Sequence, residues 1–158
     1  MTAVAMFYHL IRAGLDDTVT MILTRALGQG WRLMVRSPEQ GLLDDLDAKL
    51  WLGPEDSFLA HGVEGGAQDA DQPVLLGAGP ISNSARGIVL LSGAKVQRDE
   101  LAGLERVWLL FDGADPAAVQ AARDQWTLLT GWGLAAQYWS DESGAWVKKA
   151  EKAAVATV

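Results

Sequence analysis

The run of apolar residues at 107–111, which reads VWLLF, constrains the fold more than any other stretch of the chain. A strand without a polar position has to be covered on both faces, as the central strands of parallel sheets are. Asp112 and Gly113 then favour a turn, and Asp115 followed by Pro116 is typical of a helix start. The run therefore predicts a strand–helix unit inside an α/β protein.

Strands and helices are predicted to alternate along the rest of the chain. Short apolar runs predict strands at residues 4–8, 31–35, 73–76 and 88–91, a brief edge strand at 58–59, and a hairpin from residues 134–139 and 146–147. Helices are predicted after Asp16 or Asp17, over residues 97–104, and after Ser37, where Pro38 and Gln40 complete a capping-box pattern. We therefore expect a three-layer α/β/α sandwich, with a mostly parallel mixed sheet and an antiparallel C-terminal edge.

Chain length and composition limit the domain organisation and the location. The 158 residues fit a single α/β domain, which we place at residues 1–149, and the Ala-rich residues 150–158 are predicted to fray. The sequence has no apolar run of the ~20 residues that span a bilayer, no signal-peptide pattern and no cysteine. We expect a cytoplasmic protein without a membrane segment or a disulfide.

The net charge of −7 argues against direct binding to nucleic acid. The chain has 13 Lys and Arg residues against 20 Asp and Glu residues, and no basic cluster. Binding to nucleic acid of any sequence depends on many contacts between basic side chains and phosphates. If the protein works near DNA, we expect another protein to hold the DNA.

No catalytic or metal site is predicted. His61 follows Asp56 and Ser57 closely, but no G-x-S-x-G motif is present, and a catalytic triad also needs an oxyanion hole. His9 is the only other histidine, and neither histidine has a carboxylate cluster at metal-ligand spacing.

Gly77 and Gly79 define the alternative function, a small nucleotide-binding enzyme with a degenerate Gly-rich site. The two glycines follow a predicted strand, but the third position of the motif is Ser82, and a strand rather than a helix comes next. A dinucleotide site needs a helix N-terminus facing the pyrophosphate. We interpret both glycines as turn residues and expect no cofactor.

Arg123 and Trp126 are the main candidate for a binding site. They lie three residues apart in the last predicted helix, so they share one face with Val119 and Thr127. A cation beside an exposed aromatic ring suits a peptide that ends in an aromatic side chain and a carboxylate. In the alternative interpretation, Trp126 packs onto the sheet. The small residues on the other side of the helix are expected to pack there; they are Ala118, Ala121, Ala122 and Gln125.

Six segments of the chain, taken in order, carry a resemblance to a known family. They read FYHL, KLWLGPEDSFLAHG, DADQPVLL, RVWLLFDGADPAAV, ARDQW and QYWSDESGAWVKKAE. Together they resemble the chi subunit of bacterial DNA polymerase III. The resemblance implies a fold like that of mononucleotide-binding proteins without the nucleotide site, in a non-catalytic accessory subunit of the polymerase complex. It also implies one surface for the C-terminal tail of single-stranded DNA-binding protein and another for the psi subunit or another clamp-loader component, so that DNA is reached only indirectly.

The resemblance also assigns residues to the two surfaces. Arg123 and Trp126 match a basic and an aromatic position of the tail-binding helix, whereas Val119 and Thr127 stand where the family has further basic residues. Residues that could supply the missing charge are Lys148, Lys149 and Arg12. Trp51 and Phe58 match aromatic positions of the psi-facing surface, with the alternative that both close the core beneath a long loop.

Overall fold

The computed structural model describes residues 3–52 and 60–155, which form one eight-stranded sheet with helices on both faces. The strands are β1 (Val4–Leu10), β2 (Leu33–Arg36), β3 (His61–Val63), β4 (Val74–Gly77), β5 (Gly87–Leu90), β6 (Arg106–Asp112), β7 (Ala135–Ser140) and β8 (Val147–Lys152). The α-helices are α1 (Leu15–Gly28), α2 (Gln40–Trp51) and α3 (Pro116–Gly131), and two 3₁₀ helices cover Asp69–Asp71 and Arg98–Gly103.

The strand order in the sheet is β3-β4-β2-β5-β6-β1-β7-β8. All neighbouring strands are parallel except β7 and β8, which are antiparallel at the C-terminal edge. The apolar strand β6 lies between β5 and β1, inside the sheet. The predicted α/β class, the mostly parallel sheet and its antiparallel edge are therefore confirmed.

Two apolar cores form because successive side chains of a strand point to opposite faces of the sheet. Met6 and Trp108 join the core under α1 and α2, whereas Phe7 and Leu109 join the core under α3. This alternation explains why β6 needs apolar side chains at nearly every position. It also separates the molecule into an α1 side and an α3 side.

The order in which strands are added to the sheet reverses between β1 and β6, at their carboxyl ends. These two strands are parallel neighbours, yet β1 is followed by α1 on one face and β6 by α3 on the other. In open α/β sheets such a switch point leaves a crevice where ligands bind. The crevice lies next to the N-terminal half of α3.

Two helix starts differ from the predictions. The N-cap of α1 is Gly14, and Asp16 and Asp17 lie in the first turn. The N-cap of α2 is Glu39, and the backbone N–H of Ser37 donates to Gly77 O at 3.3 Å, so Ser37 is still tied to β4. The predicted capping box at Ser37 is therefore wrong, and one forms instead between Gln97 and Glu100 at the start of the second 3₁₀ helix.

The C-terminal end also differs from its prediction. Residues 150–152, predicted to fray, belong to β8 and pair with β7. The side chains of β8 are all exposed, so the strand depends on backbone pairing and carries no apolar pattern that would indicate it. The edge strand predicted at Phe58 and Leu59 lies outside the described residues, and β3 follows it at His61–Val63.

Candidate functional site

Helix α3 begins where the sequence predicts. The side chain of Asp115 accepts a hydrogen bond from Ala117 N at 3.0 Å, and Pro116 occupies the first turn, where a missing N–H costs nothing. The helix buries Ala122, Gln125, Leu129 and Thr130 against the sheet. This packing leaves the face of α3 that carries Arg123 directed outward, beside β1 and β7.

Arg123 is exposed, and its guanidinium forms no ion pair or hydrogen bond within residues 3–52 and 60–155. Its charge acts on Tyr138, a residue of β7 that faces α3. Burial raises the pKa of the Tyr138 phenol, and the positive charge of Arg123 partly opposes that rise. An exposed, uncompensated guanidinium is therefore available to an anionic ligand beside an aromatic ring.

Trp126 is half-buried, so its environment lies between the two interpretations of the sequence. The ring centroid is 5.2 Å from that of Phe7 and 6.2 Å from that of Tyr138. The indole thus rests on the sheet while part of it stays accessible to solvent. It is not sealed inside the core.

Trp126 belongs to a larger group of rings that the sequence analysis missed, which we call the α3 aromatic cluster: Phe7, His9, Phe111, Trp126 and Tyr138. Tyr138 OH lies 2.8 Å from His9 Nδ1, which fixes the phenol on the sheet. Phe7 and Tyr138 are Cα partners in the β1–β7 register. That register was the missing signal, because the two aromatic residues are far apart in the sequence.

Val119 and Thr127, the two positions of α3 that the resemblance assigns to further basic residues, carry no charge in this sequence. Val119 is half-buried, and the hydroxyl of Thr127 donates to Arg123 O at 3.2 Å. Lys148 pairs with Glu151 and lies opposite Trp139 in the register, on the α1 side of the sheet.

Arg12 was also predicted as a possible substitute, whereas Lys152 was not. The side chain of Arg12 donates to Glu142 O at 2.8 Å, in the loop after β1. Lys152 was missed because the tail was predicted to fray. It lies opposite Ala136, whose side chain belongs to the α3 core. Side chains of directly paired residues share a face, so the register places Lys152 on the α3 side.

Trp51 ends α2, is 56% exposed and lies 4.8 Å from the ring of His61. Phe58, its predicted companion, lies outside the described residues, as do Asp56 and Ser57. His61 is buried, and its Nε2 lies 3.0 Å from Oδ1 of Asp47. The histidine is thus held by a residue of α2.

Two backbone positions where this fold type could bind a phosphate are occupied by carboxylates of the chain itself. Glu64 accepts hydrogen bonds from Ala78 N at 2.8 Å and from Gly79 N at 3.1 Å. Asp141 accepts hydrogen bonds from three consecutive backbone N–H groups after β1, those of Ile11, Arg12 and Ala13. A phosphate would have to displace these carboxylates, which argues against the nucleotide-binding alternative.

A cavity of about 900 Å³ opens at the switch point. Ala118, Ala121 and Gln125 of α3 line it, so this side of the helix packs against the sheet less completely than predicted. Its charged lining residues are Glu39, Lys95, Asp112, Asp115 and Asp124, a set unsuited to phosphate. Within residues 3–52 and 60–155 no three potential metal-ligating side chains cluster, and no helix meets the length and hydropathy that a membrane span requires.

Comparison with known proteins places the chain in a family. No curated protein sequence matches it significantly. The family model described as DNA polymerase III chi subunit, HolC, matches residues 1–137, a range that includes Arg123, Trp126 and Trp51. The chain therefore belongs to the DNA polymerase III chi subunit family, whose members are accessory subunits in DNA replication.

Proposed function

We propose that this protein is a non-catalytic cytoplasmic subunit of DNA polymerase III that binds the C-terminal tail of single-stranded DNA-binding protein. The observation that carries the proposal is the exposed guanidinium of Arg123 next to the half-buried ring of Trp126. The terminal carboxylate of the tail would accept a bidentate hydrogen bond from Arg123. An aromatic side chain of the tail would pack against Trp126 and Tyr138, since aromatic pairs add to the burial of apolar area.

The test is titration calorimetry with a synthetic tail peptide. Arg123→Ala should weaken binding by about 1.5–3 kcal/mol, or roughly tenfold to a hundredfold, because it removes a hydrogen bond to a charged group. The same peptide with an amidated C-terminus should bind the unmodified protein about as weakly. Arg86→Ala is the matched control, since Arg86 also lies over an indole, that of Trp31, but on the α1 side.

Two results would contradict this assignment. One is an unchanged affinity of Arg123→Ala for the tail peptide. The other is an equal loss with Arg86→Ala, which would indicate a general effect of net charge.

A gel shift adds a check on the indirect contact with DNA: the protein should retard an oligonucleotide coated with the binding protein and leave the bare oligonucleotide unshifted.

Trp51 and Phe58 remain the proposed contact to the clamp loader, through the psi subunit or another component. The supporting observation is the exposure of Trp51 at the end of α2, next to Leu52, which is 83% exposed. Large exposed apolar side chains in a row are typical of protein contacts. Trp51→Ala should abolish co-elution with the clamp-loader partner and leave tail binding unchanged; co-elution of the variant would refute this assignment.

A further inference from the structure

A second positively charged site lies on the α1 side of the sheet, away from α3. It is a cavity of about 230 Å³ between α1 and strands β1 and β6. We call it the arginine pocket and define it by Tyr8, Arg25, Trp31, Arg106 and Trp108, which line it. Its aromatic residues pack in the core under α1, whereas the α3 aromatic cluster lies on the other face of the sheet.

Neither arginine of the arginine pocket is compensated. Within residues 3–52 and 60–155, the side chains of Arg25 and Arg106 form no ion pair and no hydrogen bond. Arg106 Nε is fully enclosed and lacks an acceptor there. Other arginines are paired: Arg86, which lies over Trp31, bonds to Glu105 at 2.8 Å, and Arg36 bonds to Glu100 at 2.7 Å.

Both guanidinium groups act on the same phenol. Burial raises the pKa of Tyr8, and the charges of Arg106 and Arg25 partly oppose that rise. No Asp or Glu is among the lining residues. Two like charges that converge on one cavity repel each other. An anion placed between them would relieve that repulsion and accept hydrogen bonds from guanidinium N–H groups other than the enclosed Nε of Arg106.

The size and charge of the arginine pocket limit what the anion can be. Pockets for drug-sized ligands usually measure about 300–1,000 Å³, so 230 Å³ suits a single side chain rather than a whole nucleotide. Two cations in a chain of net charge −7 cannot supply the many phosphate contacts on which nucleic-acid binding depends. A short acidic peptide needs only one or two contacts between a carboxylate and an arginine.

We propose that the arginine pocket binds a Glu or Asp side chain from an acidic segment of a partner protein, at a site separate from that of Arg123. The carboxylate lies between Arg25 and Arg106, with its aliphatic carbons against Trp31 and Trp108. Planar guanidinium groups pair with carboxylates more directionally than ammonium groups do. A side chain within the sequence of the partner is sufficient for this contact, so a free chain end is not needed.

Fluorescence anisotropy tests the proposal with a labelled probe peptide, Gly-Glu-Leu-Glu-Gly, blocked at both ends, and its glutamine counterpart. The acidic probe should bind and the glutamine probe should not. Arg25→Gln and Arg106→Gln should each weaken binding about tenfold, the loss expected for one charge-assisted hydrogen bond. Arg106→Lys keeps the positive charge but lacks the planar set of guanidinium N–H donors. It should therefore weaken binding of the acidic probe less than Arg106→Gln does. Melting temperatures verify that each variant is folded.

Controls separate this site from its neighbours. Arg86→Gln should leave the affinity for the acidic probe unchanged, because Arg86 is already paired and does not line the cavity. Arg123→Ala should also leave it unchanged, so failure of the tail-binding proposal would not affect this result. The proposal is overturned if the acidic probe does not bind, if neither pocket variant weakens it, or if a thymidine oligonucleotide binds more tightly and depends on the same two arginines.

Discussion

Asp141 joins two loops that lie far apart in the sequence. Its carboxylate accepts hydrogen bonds from Ile11 N at 2.7 Å, Arg12 N at 3.1 Å and Ala13 N at 2.5 Å, so it ties the end of β7 to the start of α1. Burial raises the pKa of the Asp141 carboxyl, but these hydrogen bonds outweigh burial, and the pKa lies below its ordinary value. The ionised form therefore stabilises the folded state.

Asp141→Asn should lower the free energy of unfolding by about 1.5–3 kcal/mol at neutral pH, because it replaces a charged acceptor by a neutral one. The unfolded pKa of Asp is about 3.9, and the folded value is lower. The stabilisation is thus complete above the unfolded pKa and is lost as the pH falls through the folded pKa. Urea denaturation at several pH values measures it.

The difference in unfolding free energy between the unmodified protein and Asp141→Asn should shrink in acid. Glu142→Gln is the control, since Glu142 is exposed and its carboxylate forms no hydrogen bond within residues 3–52 and 60–155. It should change stability by less than about 0.5 kcal/mol. A constant effect of Asp141→Asn from neutral to acidic pH would contradict the role of the ionised carboxylate.

At the scale of elements, β8 places a lysine on the face of the sheet that carries α3. The antiparallel register pairs Lys152 with Ala136 and Lys148 with Trp139, so the two lysines lie on opposite faces of the sheet. Only Lys152 is on the side of Arg123. We propose that Lys152 partly offsets the absence of basic residues at Val119 and Thr127.

Lys152→Ala should weaken binding of the tail peptide by about 0.2–1 kcal/mol, the usual contribution of an exposed charge pair. Lys148→Ala removes the same charge from the other face and should leave the affinity within error. Titration calorimetry at low and moderate salt measures both variants, and the effect of Lys152→Ala should be smaller at the higher salt concentration. Equal effects of the two variants would show that tail binding does not depend on the face of the sheet on which the lysine lies.

The elements that could be predicted from the sequence were those with a strong local signal. The apolar strand β6 and the Asp115–Pro116 start of α3 were confirmed, because one needs only burial on both faces and the other only local capping. The start of α2 was missed because Ser37 is held by β4, and β8 was missed because its pairing involves the backbone alone. At the candidate site, Arg123 and Trp126 share a helix face, whereas Phe7 and Tyr138 are brought there by strand register.

At the scale of the whole molecule, backbone N–H groups that could bind a phosphate donate to carboxylates of the same chain instead. The carboxylates of Glu64 and Asp141 occupy backbone N–H groups after β4 and β1, and carboxylates outnumber the single lysine that lines the switch-point cavity. An open, mostly parallel α/β sheet can thus keep its architecture while its own side chains satisfy the backbone N–H groups at the ends of its strands. The amides remain satisfied without a nucleotide.

Addition of ATP or GTP with magnesium should therefore leave the melting temperature unchanged. A ligand that binds only the folded state would raise it by mass action. Differential scanning fluorimetry measures the shift, with the tail peptide as the positive control. A nucleotide-dependent rise that persists in Arg25→Gln and Arg123→Ala would revive the nucleotide-binding alternative.

The two margins of the sheet resist growth by addition of a strand. β8 has Lys148, Lys149 and Lys152 within six residues, and β3 at the opposite margin has only three residues. Lysine on an outer strand, and shortness of that strand, both discourage pairing with a strand of another molecule. Copies of this protein held close together would therefore stay separate and would not join edge to edge into a continuous sheet.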